Sequence, residues 1–322
     1  MRLEFLELND FRNIARAALE PAPGVNGLFG PNGAGKTSVL EAIHLLATGR
    51  SFRENRTAPM IRDGATALRV FCRTLEPAHR LGIERAPGAW TGRLDGQPCT
   101  KLSQFARALP VVAVHPENHR LLQGGPDVRR SFLDWGLFHV EPSYLDHWKR
   151  YTRLLRQRNA ALRDHAGDAL LVSLEEPMAS AAARVDDWRT RYVARIADAV
   201  ETVAGELDFR LPLLALAYRS SASTASEYRG RWAALRGSDR EQGFTRAGPH
   251  RADLVVNARG RLAAPRLSRG QLKLAALLLR LAQMRVAAGV ERDPVLLLDD
   301  PVSELDARHL DRLLTWIEAQ PN

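Results

Sequence analysis

Gly30-Pro31-Asn32-Gly33-Ala34-Gly35-Lys36-Thr37-Ser38 is the stretch from which the chain is read. Gly30, Gly35, Lys36 and Thr37 occupy the fixed positions of the pattern G-x-x-x-x-G-K-[ST], a phosphate-binding loop. Glycines at these positions let backbone N–H groups converge on a polyphosphate, where a side chain would block the approach. Lys36 supplies a flexible cation for the outer phosphates, and the Thr37 hydroxyl is placed to ligate Mg²⁺. Val25 to Phe29 predicts a short strand entering the loop. Val39, Ile43 and Leu46 recur as one face of a helix leaving it. Such a helix points its positive N-terminal end at the nucleotide.

The bulk composition sets limits on partners and compartment. At 322 residues the chain fits about two domains, and 45% hydrophobic residues suffice for packed cores. A net charge of +9 points to an acidic partner, nucleic acid or a membrane surface. Cys72 and Cys99 are the two cysteines, without C-x-x-C or zinc spacing, which argues for a reducing compartment and against a metal framework. No apolar run reaches ~18 residues and the N-terminus has no signal-peptide layout, so the expectation is a soluble cytoplasmic protein with no membrane partner.

Residues 2 to 8 alternate as a strand. From Leu68 to Val114 the pattern is β, with Leu68, Val70 and Cys72 on one face, a hairpin turn at Asp95-Gly96, and a buried strand over Val111–Val114. The middle of the chain is helical. Leu145, Trp148, Thr152, Leu155, Asn159 and Leu162 mark a heptad seam, broken at Asp164-His165-Ala166-Gly167. A second helix is expected to start with Pro177 in its first turn and to carry an apolar stripe of Val185, Trp188, Tyr192, Ile196, Ala199 and Val203. Two such helices make a short antiparallel arm. Ser220 to Ser226 reads as a loop. Leu267-Ser268-Arg269-Gly270-Gln271 then precedes a helix, and Val295-Leu296-Leu297-Leu298-Asp299-Asp300 reads as a central parallel strand, buried on both faces and ending in acids. Ser303 to Asp306 opens a last helix. The expected division is 1–115, an ATPase subdomain with the loop and a β-rich lobe; 116–235, a helical arm lobe; and 236–322, the rest of the ATPase subdomain.

Asp299 is the Walker B candidate, completing the Mg²⁺ site with Thr37, and Asp300 is placed to polarise the attacking water as general base. Ser268 taken alone is a favoured helix cap. It lies 31 residues before Asp299, room for one helix and a turn. That order resembles the ABC-type ATPases. There the signature Ser, here Ser268 with Gln271 in the same string, acts on a γ-phosphate held by a second subunit, so the resemblance implies two chains sandwiching two ATP molecules. The 232 residues between Lys36 and Ser268 exceed a transporter insertion and are similar to the heads of the structural-maintenance-of-chromosomes class with a stubby arm.

Further strings narrow the likeness. Pro116-Glu117, Leu121-Leu122-Gln123-Gly124-Gly125-Pro126 and Arg129-Arg130-Ser131-Phe132-Leu133-Asp134 resemble one signature of the RecF family. Gly248-Pro249-His250-Arg251-Ala252-Asp253-Leu254 resembles a second. Phe11-Arg12-Asn13 and Gln157-Arg158-Asn159-Ala160 extend the resemblance along nearly the whole chain. It implies a cytoplasmic protein of DNA repair, replication and the SOS response, with Arg12 beside the nucleotide. It also implies binding of ATP and of single-stranded or gapped DNA, and work with RecO and RecR to load recombinase at gaps. In ABC-type folds a further strand follows the last helix. Gln320-Pro321-Asn322 stops short of one, so the C-terminus reads as truncated, with weak ATP binding and little hydrolysis expected.

Trp148 to Arg163 holds six cations (Lys149, Arg150, Arg153, Arg156, Arg158 and Arg163) and no acid, interleaved with Trp148 and Tyr151. A basic arm surface contacts phosphates without reading sequence. The bland alternative is a solvated helix face. A structural DNA-bridging subunit is the alternative function. Helices of ~20 residues reach about 30 Å, too short for a tether.

Overall fold

The computed structural model describes residues 1–54, 56–290 and 293–320, an α/β chain of two compact units. Met1–Glu117 carries β1 (Arg2–Phe11), β2 (Ile14–Leu19), α1 (Lys36–Thr48), β3 (Leu68–Leu75), β4 (His79–Ala86), β5 (Ala89–Leu94), β6 (Gln97–Pro98), α2 (Leu102–Ala108) and β7 (Val111–Val114). The second unit, Asn118–Gly205 with Arg210–Val286, draws on α3 (Arg120–Gln123), α4 (Pro126–Val140), α5 (Tyr144–Arg163), α6 (Asp168–Leu207), β8 (Leu214–Arg219), α7 (Ala225–Gln242), β9 (Asp253–Ala258), β10 (Arg261–Leu262) and α8 (Arg269–Ala287). The chain from Ala287 onward returns to the first unit with β11 (Val295–Leu298), α9 (Pro301–Glu304) and α10 (Ala307–Glu318).

In the first unit, six strands form an antiparallel sheet in the order β2-β1-β3-β4-β5-β6. Leu6 pairs with Cys72 and Cys72 with Leu81, so the apolar positions of three strands share one face. They pack with Val39, Ile43 and Leu46 of α1 in one core. A one-residue slip would turn every one of them to solvent, which fixes the register. Cys72 sits in that core, where burial pushes its thiol up to about 12. Asp95 and Gly96 form the expected tight turn, both with positive φ.

β11 runs parallel to β7, Val295 opposite Val111 and Leu298 opposite Val114. This strand was expected to be buried on both faces. Among the described residues β7 is its one strand neighbour, and Leu297 alone of its four residues is buried. The expected strand over Val25 to Phe29 does not form, and Phe29 is 93% exposed. A strand needs a ladder partner. Without one, backbone N–H and C=O groups turn to water and the apolar run has no face to bury. Pro321 and Asn322, on which the expectation of a shortened C-terminus rested, lie outside the described residues.

The second unit corrects the arm. Tyr144, Tyr151, Leu154, Arg158, Ala161 and Leu162 are the buried positions of α5, so the seam is rotated away from the Leu145/Thr152/Asn159 set. Tyr151 and Arg158 read as surface because their tips are polar, but both tips find partners within the unit. Arg158 is 0% exposed. Its Nε donates to Glu175 Oε1 at 3.0 Å, and its Nη1 donates to Asp239 Oδ2 and Thr245 Oγ1, both at 2.8 Å. A charge so placed is tolerated only when paired and hydrogen-bonded.

α6 begins at Asp168 and contains Pro177, the expected start, in its interior. The flanking Met178 and Ala179 are fully buried with Tyr228 and Trp232, a packing that outweighs the lost backbone bond. Its expected apolar stripe from Val185 to Val203 is buried throughout. The loop expected over Ser220 to Ser226 instead leads into α7, whose Thr224 cap accepts from the Glu227 N–H. The expected boundary at residue 235 thus falls inside a helix. Ser268 and nearly all of α8 lie in the helical unit, not in the one that holds the phosphate loop.

The two signature strings meet. Arg129 Nε and Nη2 donate to the Asp253 carboxylate at 2.7 and 2.9 Å, and Arg130 Nη1 donates to the Ala252 carbonyl at 2.9 Å. Buried Arg189 spans Asp134, at 2.6 Å, and the Pro249 carbonyl, at 2.7 Å. His250 receives the Tyr151 hydroxyl at 2.6 Å. These strings hold the unit together.

Candidate nucleotide site

The loop after Phe29 owes its shape to its glycines. Gly33 and Gly35 take φ of +81° and +97°, which side-chain-bearing residues seldom adopt. A Cβ on Gly35 would also come within 3.1 Å of Ile14. α1 starts at Lys36 with no side-chain cap and no acid in its first turn, so its leading N–H groups have no protein acceptor competing with an anion. Lys36 Nζ donates to the Gly30 and Pro31 carbonyls at 2.8 and 2.9 Å, folded over the loop it serves. Asn32 and Ala34 are exposed at the crown, and Ser38, beneath it, is buried.

Thr37 Oγ1 donates to Asp299 Oδ1 at 2.7 Å. Asp299 is placed by β11, and its own N–H continues the parallel ladder to the Val114 carbonyl at 2.8 Å. Burial raises its carboxyl above the usual range, with Asp300 and Glu41 adding to the rise and the Thr37 hydrogen bond and Arg53 opposing it. A carboxylate that is costly to ionise beside a hydroxyl is a place a cation would stabilise. No cluster of three or more acidic, His or Cys side chains fit for a metal exists among the described residues. One carboxylate and one hydroxyl suit Mg²⁺, which keeps waters and takes its remaining oxygens from phosphates.

Asp300 follows with φ +48° and leads α9. Arg12, assigned to the nucleotide, is engaged elsewhere. Its Nη2 and Nε donate to Glu41 Oε1 and Oε2 at 2.6 and 3.0 Å, and its Nη1 to the Pro59 carbonyl at 2.7 Å. Glu41 is fully buried and also accepts from Ser51. Nothing in the sequence marked Glu41 or Arg53; a buried acid in a helix looks like any polar residue of an amphipathic run. Beside Lys36 lies a cavity of 420 Å³ whose wall includes Ile14, Ala17, Leu28, Phe29 and Val39. Asn13 and Arg16 also line it, so it is an open pocket of mixed polarity next to the phosphate cradle.

Ser268 and Gln271 are brought together, as a reciprocal cap. The Gln271 N–H donates to Ser268 Oγ at 3.3 Å, and the Ser268 N–H to Gln271 Oε1 at 3.0 Å. On α5, Lys149, Arg150, Arg153, Arg156 and Arg163 are exposed and form no ion pair among the described residues. Arg158 is the exception to the expected basic surface, and Tyr151 is core. No described helix is long and apolar enough to cross a membrane.

The phosphate loop, the acid-tipped parallel strand and the inserted helical unit define an ABC-type ATPase head of the structural-maintenance-of-chromosomes kind. A family model described as the RecF/RecN/SMC N terminal domain matches residues 2–322. The DNA replication and repair protein RecF of Thioalkalivibrio sulfidiphilus is 38% identical over 99% of this chain and 89% of its own length. That of Xanthomonas axonopodis pv. citri is 39% identical over 100% and 90%. A solved structure of the recombination mediator protein RecF with ATP in the RecFOR pathway superposes with a TM-score of 0.90 at 25% identity, covering 99% of this chain and 90% of that one. A Pyrococcus furiosus Smc head shares the fold, with a TM-score of 0.57 at 15% identity over 98% of this chain and 86% of that one. The chain belongs to the RecF family of DNA replication and repair proteins.

Proposed function

We propose that the chain is an ATP-switched DNA-binding protein of recombinational repair, replication and SOS induction, acting in the cytoplasm. The observation that carries this reading is the 2.7 Å contact of Thr37 with Asp299 beneath a glycine-built phosphate loop. Gly30 to Ser38 would hold the phosphates of ATP, with Thr37 and Asp299 on Mg²⁺, which supplies charge neutralisation at the phosphoryl oxygens. Asp300 would orient the attacking water. Ser268 and Gln271 would meet the nucleotide of a second copy, making ATP the glue of a homodimer. Five exposed cations on α5 suit a phosphate backbone, while Tyr151, the ring interleaved with them, is buried in the core. RecO and RecR are the partners implied for loading recombinase at single-strand gaps.

Dimerisation tests the reading. Sedimentation with and without MgATP should show an ATP-dependent dimer for the parent chain and none for either variant. Lys36→Ala should lose nucleotide binding, whereas Ser268→Arg should bind nucleotide as a monomer. A Ser268→Arg chain that dimerises like the parent would remove the role across the interface.

A further inference from the structure

We propose that Asn13 is a positioning residue of the phosphate loop, tying the loop's crown to the first turn of α1; this rests on the nucleotide reading of that loop. Asn13 Nδ2 donates to the Gly33 carbonyl at 2.5 Å, and its Oδ1 accepts from Ser38 Oγ at 3.1 Å. The Gly33 carbonyl can only accept, so the amide's orientation follows from chemistry. One side chain therefore bridges residues on either side of Gly35, Lys36 and Thr37. Asn13 is itself fixed from behind. Arg12 holds a φ of +55°, a conformation non-glycine residues resist, and its guanidinium is locked onto fully buried Glu41 and the Pro59 carbonyl. Next to it, Ile14 and Asn13 Oδ1 stand 3.1 and 3.5 Å from where a Gly35 Cβ would be. The turn between β1 and β2 is thus pressed against the loop along its length.

The chemical consequence is a preformed cradle. A carbonyl aimed at a polyphosphate would repel it, and the Asn13 amide keeps the Gly33 carbonyl engaged with a donor. Lys36 can leave the Gly30 and Pro31 carbonyls for a phosphate, while the Asn13 bridge needs no rearrangement to stay in place. Preorganisation of this kind appears as affinity, because the ordering cost is met before the ligand arrives.

The test has two arms. Hydrogen–deuterium exchange of the nucleotide-free chain should show faster exchange over residues 33–38 in Asn13→Ala than in the parent. Affinities for MgATP and for inorganic tripolyphosphate should both fall about fivefold to tenfold, the scale of one or two neutral hydrogen bonds. Asn13→Asp, which retains the acceptor for Ser38 but sets a carboxylate against the Gly33 carbonyl, should fall further. A loss confined to ATP would assign Asn13 to the base and overturn the clamp. So would unchanged exchange over 33–38. If Lys36→Ala binds both ligands like the parent, the nucleotide reading fails, and the exchange arm still decides the clamp.

Discussion

Thr37 and Asp299 stand 262 residues apart in the chain, yet Thr37 Oγ1 lies 2.7 Å from Asp299 Oδ1. The contact joins the first turn of α1 to the end of β11, and it places a partly desolvated acid where a divalent cation would be held. It also has a cost. An acid whose folded carboxyl is raised by burial binds its proton more tightly than the unfolded chain does. Stability from this group is therefore present at acid pH and lost as pH rises through the raised value.

Asp299→Asn should separate stability from function. At pH 7 the metal-free variant should melt higher than the parent, by roughly 2–4 °C for each kcal/mol recovered. It should also lose Mg²⁺-dependent ATP binding. Calorimetry at pH 7 checks it, and a lower melting point would show that the carboxylate is stabilised there.

The DNA surface gives a second expectation. Arg153→Ala with Arg156→Ala should weaken binding uniformly across sequences and flatten the slope of log K against log salt by roughly 0.7–0.9 for each lost contact. Arg158→Ala should behave differently, because Arg158 is buried against Glu175 and Asp239. It should cost about 3–5 kcal/mol of stability by stranding two acids. Fluorescence anisotropy at several salt concentrations, beside denaturant melts, distinguishes the two effects; an unchanged slope would move the DNA surface off α5.

His250 sets a pH limit on the helical unit. Burial, with the charges of Arg251, Arg130 and Arg189, brings its imidazole down to about 4. The unfolded chain takes up that proton near 6.5, so stability present above pH 6.5 is lost as pH falls toward 4, by about 3 kcal/mol in all. His250→Gln should flatten the pH dependence of the melting temperature between pH 7 and 5. An equally steep profile would assign the acid sensitivity to other groups.

The sequence by itself determined the elements that depend on neighbours along the chain. The phosphate loop needs glycines, a lysine and a hydroxyl at fixed short spacing. The alternation of Leu68, Val70 and Cys72 and the stripe from Val185 to Val203 declare their buried faces through periods of 2 and 3.6. Pairing across the chain was decided only by tertiary structure. Arg158 is a surface cation to any pattern rule until Glu175 and Asp239 enclose it. Pro177 looks like a helix start until packing holds it inside one. Val25 to Phe29 has a strand's composition, but a strand is a relationship between two segments, and in the described structure no second segment supplies its hydrogen bonds.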